Sequence, residues 1–128
     1  MGRRATAVDK GARKKGYLEE GETIEEIAVV GRGSMIGDLV TSTPALWSRS
    51  ALAASERNLY LFALGQVGFR SLKACAAKMP ISEAILREEG GKLVLERRGE
   101  GEVGRFDTAP LAPPGRLITY VEKRQAVG

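Results

Sequence analysis

A chain of 128 residues without a single histidine must do any acid–base work with carboxylates and bind any metal without imidazole. Its one cysteine, Cys75, can complete neither a thiolate zinc site nor an internal disulfide. Cys75 stands in an alternating apolar run with no imidazole to activate it, and reads as a buried, inert thiol. Carboxylates gather in two places: Glu19, Glu20, Glu22, Glu25 and Glu26 around Gly21, and Glu88-Glu89 before Gly90-Gly91. Both clusters adjoin glycine and read as solvated, and neither has the signature of a paired acid and base. Gly31-Arg32-Gly33-Ser34 lacks the lysine followed by Ser or Thr of a phosphate-cradling loop, so it reads as a flexible connection. Tyr60 and Phe62 share one strand parity, as a base-stacking platform requires. A small β-rich domain must nevertheless bury something large, and these two rings are the material for that. The inventory predicts no catalytic residue, no cofactor and no metal.

Charge is the next candidate for function. The net charge is +4, and residues 1–15 carry Arg3, Arg4, Lys10, Arg13, Lys14 and Lys15 against Asp9 alone. Such an arm can meet acidic lipid or nucleic acid. It lacks interleaved aromatics, and the plainer reading is a solvated start that neutralises the acidic block beside it. Arg13, Lys14 and Lys15, with Arg32 and Arg49 at the two ends of a long loop, are the candidate contacts for an anion or a partner. Residues 1–11 hold few large apolar groups and are expected to be a disordered basic arm, leaving 12–128 as one domain. No stretch approaches the roughly 18 apolar residues of a membrane-spanning helix, and no apolar segment follows the first arginines as in a secretory leader. With one cysteine, the expected setting is reducing and cytoplasmic.

The elements that would position these residues are mostly strands. Ser50–Gly65 is the most specific signal: two apolar runs, Ala51–Ala54 and Leu59–Leu64, flank the polar break Ser55-Glu56-Arg57-Asn58. Upstream, a short helix is predicted over Ala12–Glu20, ended by Gly21, followed by a strand over Thr23–Val30. Residues 31–49, rich in Gly, Ser and Pro, form the longest irregular stretch and lead through Trp47, a core or rim anchor, into the hairpin. Ser71–Ser82 reads as a strand with Cys75, Ala77, Met79 and Ile81 on one face, and Pro80 marks it as an edge strand, or one that bulges or ends there. Gly90-Gly91 turns into a strand over Lys92–Arg98, and glycines 99–104 turn again into a return strand anchored by Phe106. Pro114 then opens a closing segment whose stripe of Leu117, Ile118, Tyr120 and Val121 favours a helix, with a final strand as the alternative.

Taken together, the acidic Leu18-Glu19-Glu20-Gly21-Glu22 stretch, the hairpin with its Ser55-Glu56-Arg57-Asn58-Leu59 turn, Ala77-Lys78-Met79-Pro80-Ile81-Ser82 and the proline-led amphipathic end resemble the bacterial pleckstrin-homology-like domain proteins that occur as single-domain chains. The resemblance spans residues 17–125. It implies a mainly β fold: a curved antiparallel sheet or partly open barrel of about seven strands, with a C-terminal helix and a short N-terminal one. Eukaryotic members of that superfamily hold phosphoinositides through basic residues of the first hairpin loop; here only Arg32 and Arg49 bracket the matching loop.

Three functions follow as expectations. The first is a non-enzymatic binding module in which a protein, a peptide or a second copy docks on the β scaffold. The second is a peripheral binder of an anionic surface, lipid or nucleic acid, through the N-terminal arm and loop 31–49. The third, an enzyme working with carboxylates alone, has the least in its favour.

Overall fold

The computed structural model describes residues 3–35, 50–64, 72–108 and 114–127. It is mainly β: seven antiparallel strands in one open sheet, with a helix at each end of the chain. In chain order these are α1 (Arg3–Lys15), β1 (Glu26–Met35), β2 (Ser50–Ala54), β3 (Asn58–Leu64), β4 (Leu72–Pro80), β5 (Ala84–Glu89), β6 (Lys92–Arg97), β7 (Gly101–Thr108) and α2 (Gly115–Val127). The strands lie in the order β4-β3-β2-β1-β7-β6-β5. The two outer strands, β4 and β5, are consecutive in the chain and joined by a single 3₁₀ turn at Ile81–Glu83. No ladder among the described residues pairs β4 with β5, so the sheet is open, with two edges, rather than a closed barrel.

The Ser50–Gly65 hairpin forms as its pattern dictates. All twelve residues of β2 and β3 are buried, and the pairing runs from Ser50↔Ala63 to Ala54↔Leu59. The polar break shrinks to Ser55, Glu56 and Arg57, because Asn58 already belongs to β3. Burial on both faces follows from the two helices. On one face α2 lays Leu117 and Val121 over Leu52, Leu61, Leu93 and Phe106. On the other, α1 lays Ala5, Val8 and Ala12 over Ala51, Ala53, Tyr60 and Phe62. The proline-led closing segment is thus a helix, and the Ile118 N–H returns to the Pro114 carbonyl at 3.0 Å.

Three expectations change. The stretch 1–11, expected to be an unstructured arm, is helical from Arg3, because Ala5, Val8 and Ala12 recur at helical spacing and their small side chains allow close approach to the sheet. The helix ends five residues earlier than expected, at Lys15. Its stop signal is Gly16, not Gly21: Gly16 takes φ +76°, its N–H reaches the Arg13 carbonyl, and the Tyr17 N–H reaches that of Ala12. The first strand starts at Glu26 rather than Thr23 and runs through Gly31-Arg32-Gly33 to Met35, so this stretch is sheet backbone and not loop. A register shift between Val30 and Gly33 lets β1 leave β2 and follow β7. Ile24, ahead of that strand, packs under α1 with Val29.

A further correction concerns Cys75. Register shifts in the β3–β4 ladder, one of them opposite Leu61 and Phe62, break the alternation of β4. Cys75 therefore packs on the α1 side while Ala77, Met79 and Ile81 pack on the α2 side. Residues 36–49, which include Trp47 and Arg49, and residues 65–71 lie outside the described residues, as does the side chain of Arg32.

Candidate functional site

The densest polar chemistry in the described residues centres on Glu22, which is 3% exposed. It lies in the link between α1 and β1 and is held against the start of β3. Its Oε1 accepts the Tyr60 hydroxyl and, at 2.9 Å, the Glu19 N–H; its Oε2 accepts the Ser55 hydroxyl and, at 2.9 Å, Asn58 Nδ2. Burial alone pushes this carboxyl up, but the four donors outweigh it and hold Glu22 below the usual glutamate range. Burial, and then the neighbouring carboxylate, push the Tyr60 phenol far above the usual tyrosine range. Around this centre, Glu19 meets Lys78 Nζ at 2.7 Å and Asn58 Nδ2 at 3.2 Å, and its carboxyl is lowered chiefly by Lys78. Lys78 Nζ stands 5.6 Å from the centroid of the Tyr60 ring.

This cluster fastens rather than reacts. Each Glu22 oxygen already accepts two hydrogen bonds, which fill the four acceptor positions of the carboxylate. A second fastening lies beside it: Asp9 Oδ1 accepts the Ile24 N–H at 2.9 Å, and Arg13 Nη2 bonds Asp9 and donates to the Glu22 carbonyl at 2.9 Å. Of the predicted contacts, Arg13 is thus committed to holding α1 on the sheet. Lys14 and Lys15 are exposed in the last turn of α1, where cations also complement the helix dipole. The structure places these three together on α1; Arg32 contributes only described backbone, in β1, and Arg49 falls outside the described residues.

Tyr60 and Phe62 are 0% exposed. Their rings stack 5.1 Å apart, with Tyr17 stacked 5.8 Å from Phe62 on the other side. They are core, not a platform for bases. Cys75 is half-buried, with its thiol pushed up by burial, the opposite of an activated nucleophile. Among the described residues no group of His, Cys, Asp and Glu is arranged to hold a metal ion, and no helix is long and apolar enough to cross a membrane.

What remains open to a partner is backbone. The β4 edge is blunted by Pro80, by the ion-paired Lys78 and by its register shifts. The β5 edge is not. Gly90 and Gly91, at φ +56° and +78°, make a two-residue turn that closes on the Glu89↔Lys92 pair. Strict alternation then turns the backbone of Arg87 and Ile85 toward β6 and that of Ala84, Leu86 and Glu88 outward. The hydrogen bonds agree: the Glu83 carbonyl, next in the alternation, faces β6 and accepts the Arg98 N–H at 2.8 Å. Ala84 is satisfied internally, its N–H by the Ile81 carbonyl and its C=O by Gln125 Nε2 of α2. Among the described residues no partner meets the outward N–H and C=O groups of Leu86 and Glu88 at the rim of the sheet. Beside them stands Ile85, at 37% the exposed large hydrophobic side chain of the described residues. Sequence reasoning singled out neither edge residue, because which backbone groups face outward depends on pairing register and not on residue type.

No protein-family model matches this chain, and no curated protein matches it.

Proposed function

We propose that this chain is a non-enzymatic interaction module of the pleckstrin-homology-like type, which binds an extended protein segment by adding it as a further strand along β5. The observation that carries this reading is the β5 edge, whose Leu86 and Glu88 backbone groups point away from β6 with no described strand beside them. Main-chain hydrogen bonds would supply affinity, and alternate side chains of the incoming segment would meet Ile85, Arg87 and Glu89 on one face. The chemistry of the other candidates supports a binding role. Glu22 is saturated, Cys75 is not activated, and histidine is missing from the sequence. A cytoplasmic setting belongs to the same reading, since it suits a chain with one cysteine and no disulfide. Binding of an acidic surface through the exposed Lys14 and Lys15 is the competing reading.

Selection of peptides from a displayed library, followed by titration of the chain with the peptides recovered, tests the proposal. Glu88→Pro removes an outward N–H without removing a ladder bond to β6, so the sheet should keep its thermal transition. Peptide affinity should fall about fivefold, the loss of one main-chain hydrogen bond. Equal affinity for both proteins, or a library that yields no binder, would defeat the reading.

A further inference from the structure

We propose that the segment seated on β5 is the β5 strand of a second copy of this chain, the two strands pairing antiparallel about a two-fold axis at Arg87. The inference rests on the strand-addition reading and goes further by naming the partner and the register. In an antiparallel pair of identical strands, the outward-facing groups can meet only in registers that align them with one another. One register centres on Leu86, and it requires Ala84, whose N–H and C=O are already taken by Ile81 and Gln125. Another centres on Glu88; it sets two Glu88 carboxylates face to face and calls on Gly90, which is held in the turn at φ +56°. The register centred on Arg87 pairs Leu86 of each copy with Glu88 of the other. It uses all four outward groups of each strand and disturbs none of the internal caps.

The side chains suit this register. Ile85 of each copy falls opposite Glu89 of the other, which covers an apolar group now 37% exposed with the aliphatic stem of a glutamate. The two Arg87 side chains meet at the axis. Each arrives already held by two carboxylates, Glu89 at 3.1 Å and Glu96, so the junction brings four carboxylates to two guanidinium groups. Each Arg87 also comes diagonally beside Glu89 of the other copy, within reach of side chains of that length. Each of the two like charges at the axis is thus paired with two carboxylates of its own chain. The result is a continuous sheet across two chains, ended on each side by the blunted β4.

Cross-linking reads the register directly. In a Cys75→Ala background, Arg87→Cys places its thiol opposite its own counterpart in a non-hydrogen-bonded pair, where cross-strand disulfides form readily, whereas Ile85→Cys does not meet itself. Under mild oxidation Arg87→Cys should give the covalent dimer at least about tenfold faster than Ile85→Cys. Sedimentation equilibrium of the full chain should show a reversible dimer. Glu88→Pro, which deletes two of the four interchain hydrogen bonds, should raise the dissociation constant about 25-fold, a factor of about five for each bond. Equal cross-linking rates, a wild-type chain that stays monomeric up to about 1 mM, or a dimer indifferent to Glu88→Pro would each overturn the self-pairing. If the wild-type chain is monomeric while its selected peptides still depend on Glu88, self-pairing falls and strand addition stands; if peptides and dimer alike ignore Glu88, both fall.

Discussion

Replacing Glu22 by glutamine isolates what its charge contributes. The variant keeps the size of the side chain and one acceptor oxygen, but it puts an NH2 group where one carboxylate oxygen now accepts two donors, either Ser55 and Asn58 or Tyr60 and the Glu19 N–H. Hydrogen bonds to an ionised acceptor contribute about 1.5–3 kcal/mol each, and part of that returns as the donors reorient toward one another. The expected loss at neutral pH is about 2 kcal/mol, a large share of the roughly 5–15 kcal/mol that holds a domain of this size together. Urea unfolding followed by circular dichroism measures it. The pH dependence carries the sharper test. Glu22 ionises lower in the folded chain than the ordinary value of about 4.5, so its contribution is fully present above that value and is lost as the pH falls through the folded one. Once the wild-type carboxyl is protonated it resembles the amide, and the two proteins should converge in stability. A gap that is the same at pH 7 and pH 3, or one below about 0.5 kcal/mol at pH 7, would refute the assignment of Glu22 as an anionic fastening.

Asp9→Ala removes the acceptor of the Ile24 N–H and the partner of Arg13, so it should cost about 1–2 kcal/mol, and the amides of α1 should exchange faster while those of β3 keep their protection. Gly91→Ala meets nothing within 4 Å, so its cost is conformational alone, about 1 kcal/mol from the φ of +78°, measured by thermal unfolding. Lys14→Glu with Lys15→Glu should leave the binding of peptides selected on β5 unchanged. Loss of that binding, or strong salt-dependent adsorption of the wild-type chain to acidic vesicles that the pair abolishes, would favour the anionic-surface reading instead.

The sequence announces most of the sheet because its strands are bounded by unambiguous breaks. Ser55-Glu56-Arg57 separates two runs too apolar to be anything but buried, and Gly90-Gly91 can only turn. The helix α1 was hidden for a physical reason: its buried face is made of Ala5, Val8 and Ala12, residues too small to raise a hydropathy signal among six basic neighbours. Its presence explains why the first strand carries apolar residues on both faces, since Ile27 and Val29 pack under α1 while Ala28 and Val30 pack under α2. The bulge that turns Cys75 to the α1 side leaves no mark in the residue pattern. By residue type alone Glu22 is one acid among five beside Gly21, because only the fold brings Ser55, Asn58 and Tyr60 to it. The β5 edge is a property of topology and register, which no local spacing encodes.

The fastening at Glu22 also dictates an order of assembly. Its side-chain partners lie 33, 36 and 38 positions further along the chain, so the leading segment has nothing to grip until the second and third strands exist. On a ribosome adding about 5–20 residues per second, the segment around Glu22 would wait a few seconds for these partners before docking. Helix α1 is thus made before the strands it is fastened to and seated after them, and by the same logic it is a piece that lifts away early when the molecule begins to come apart.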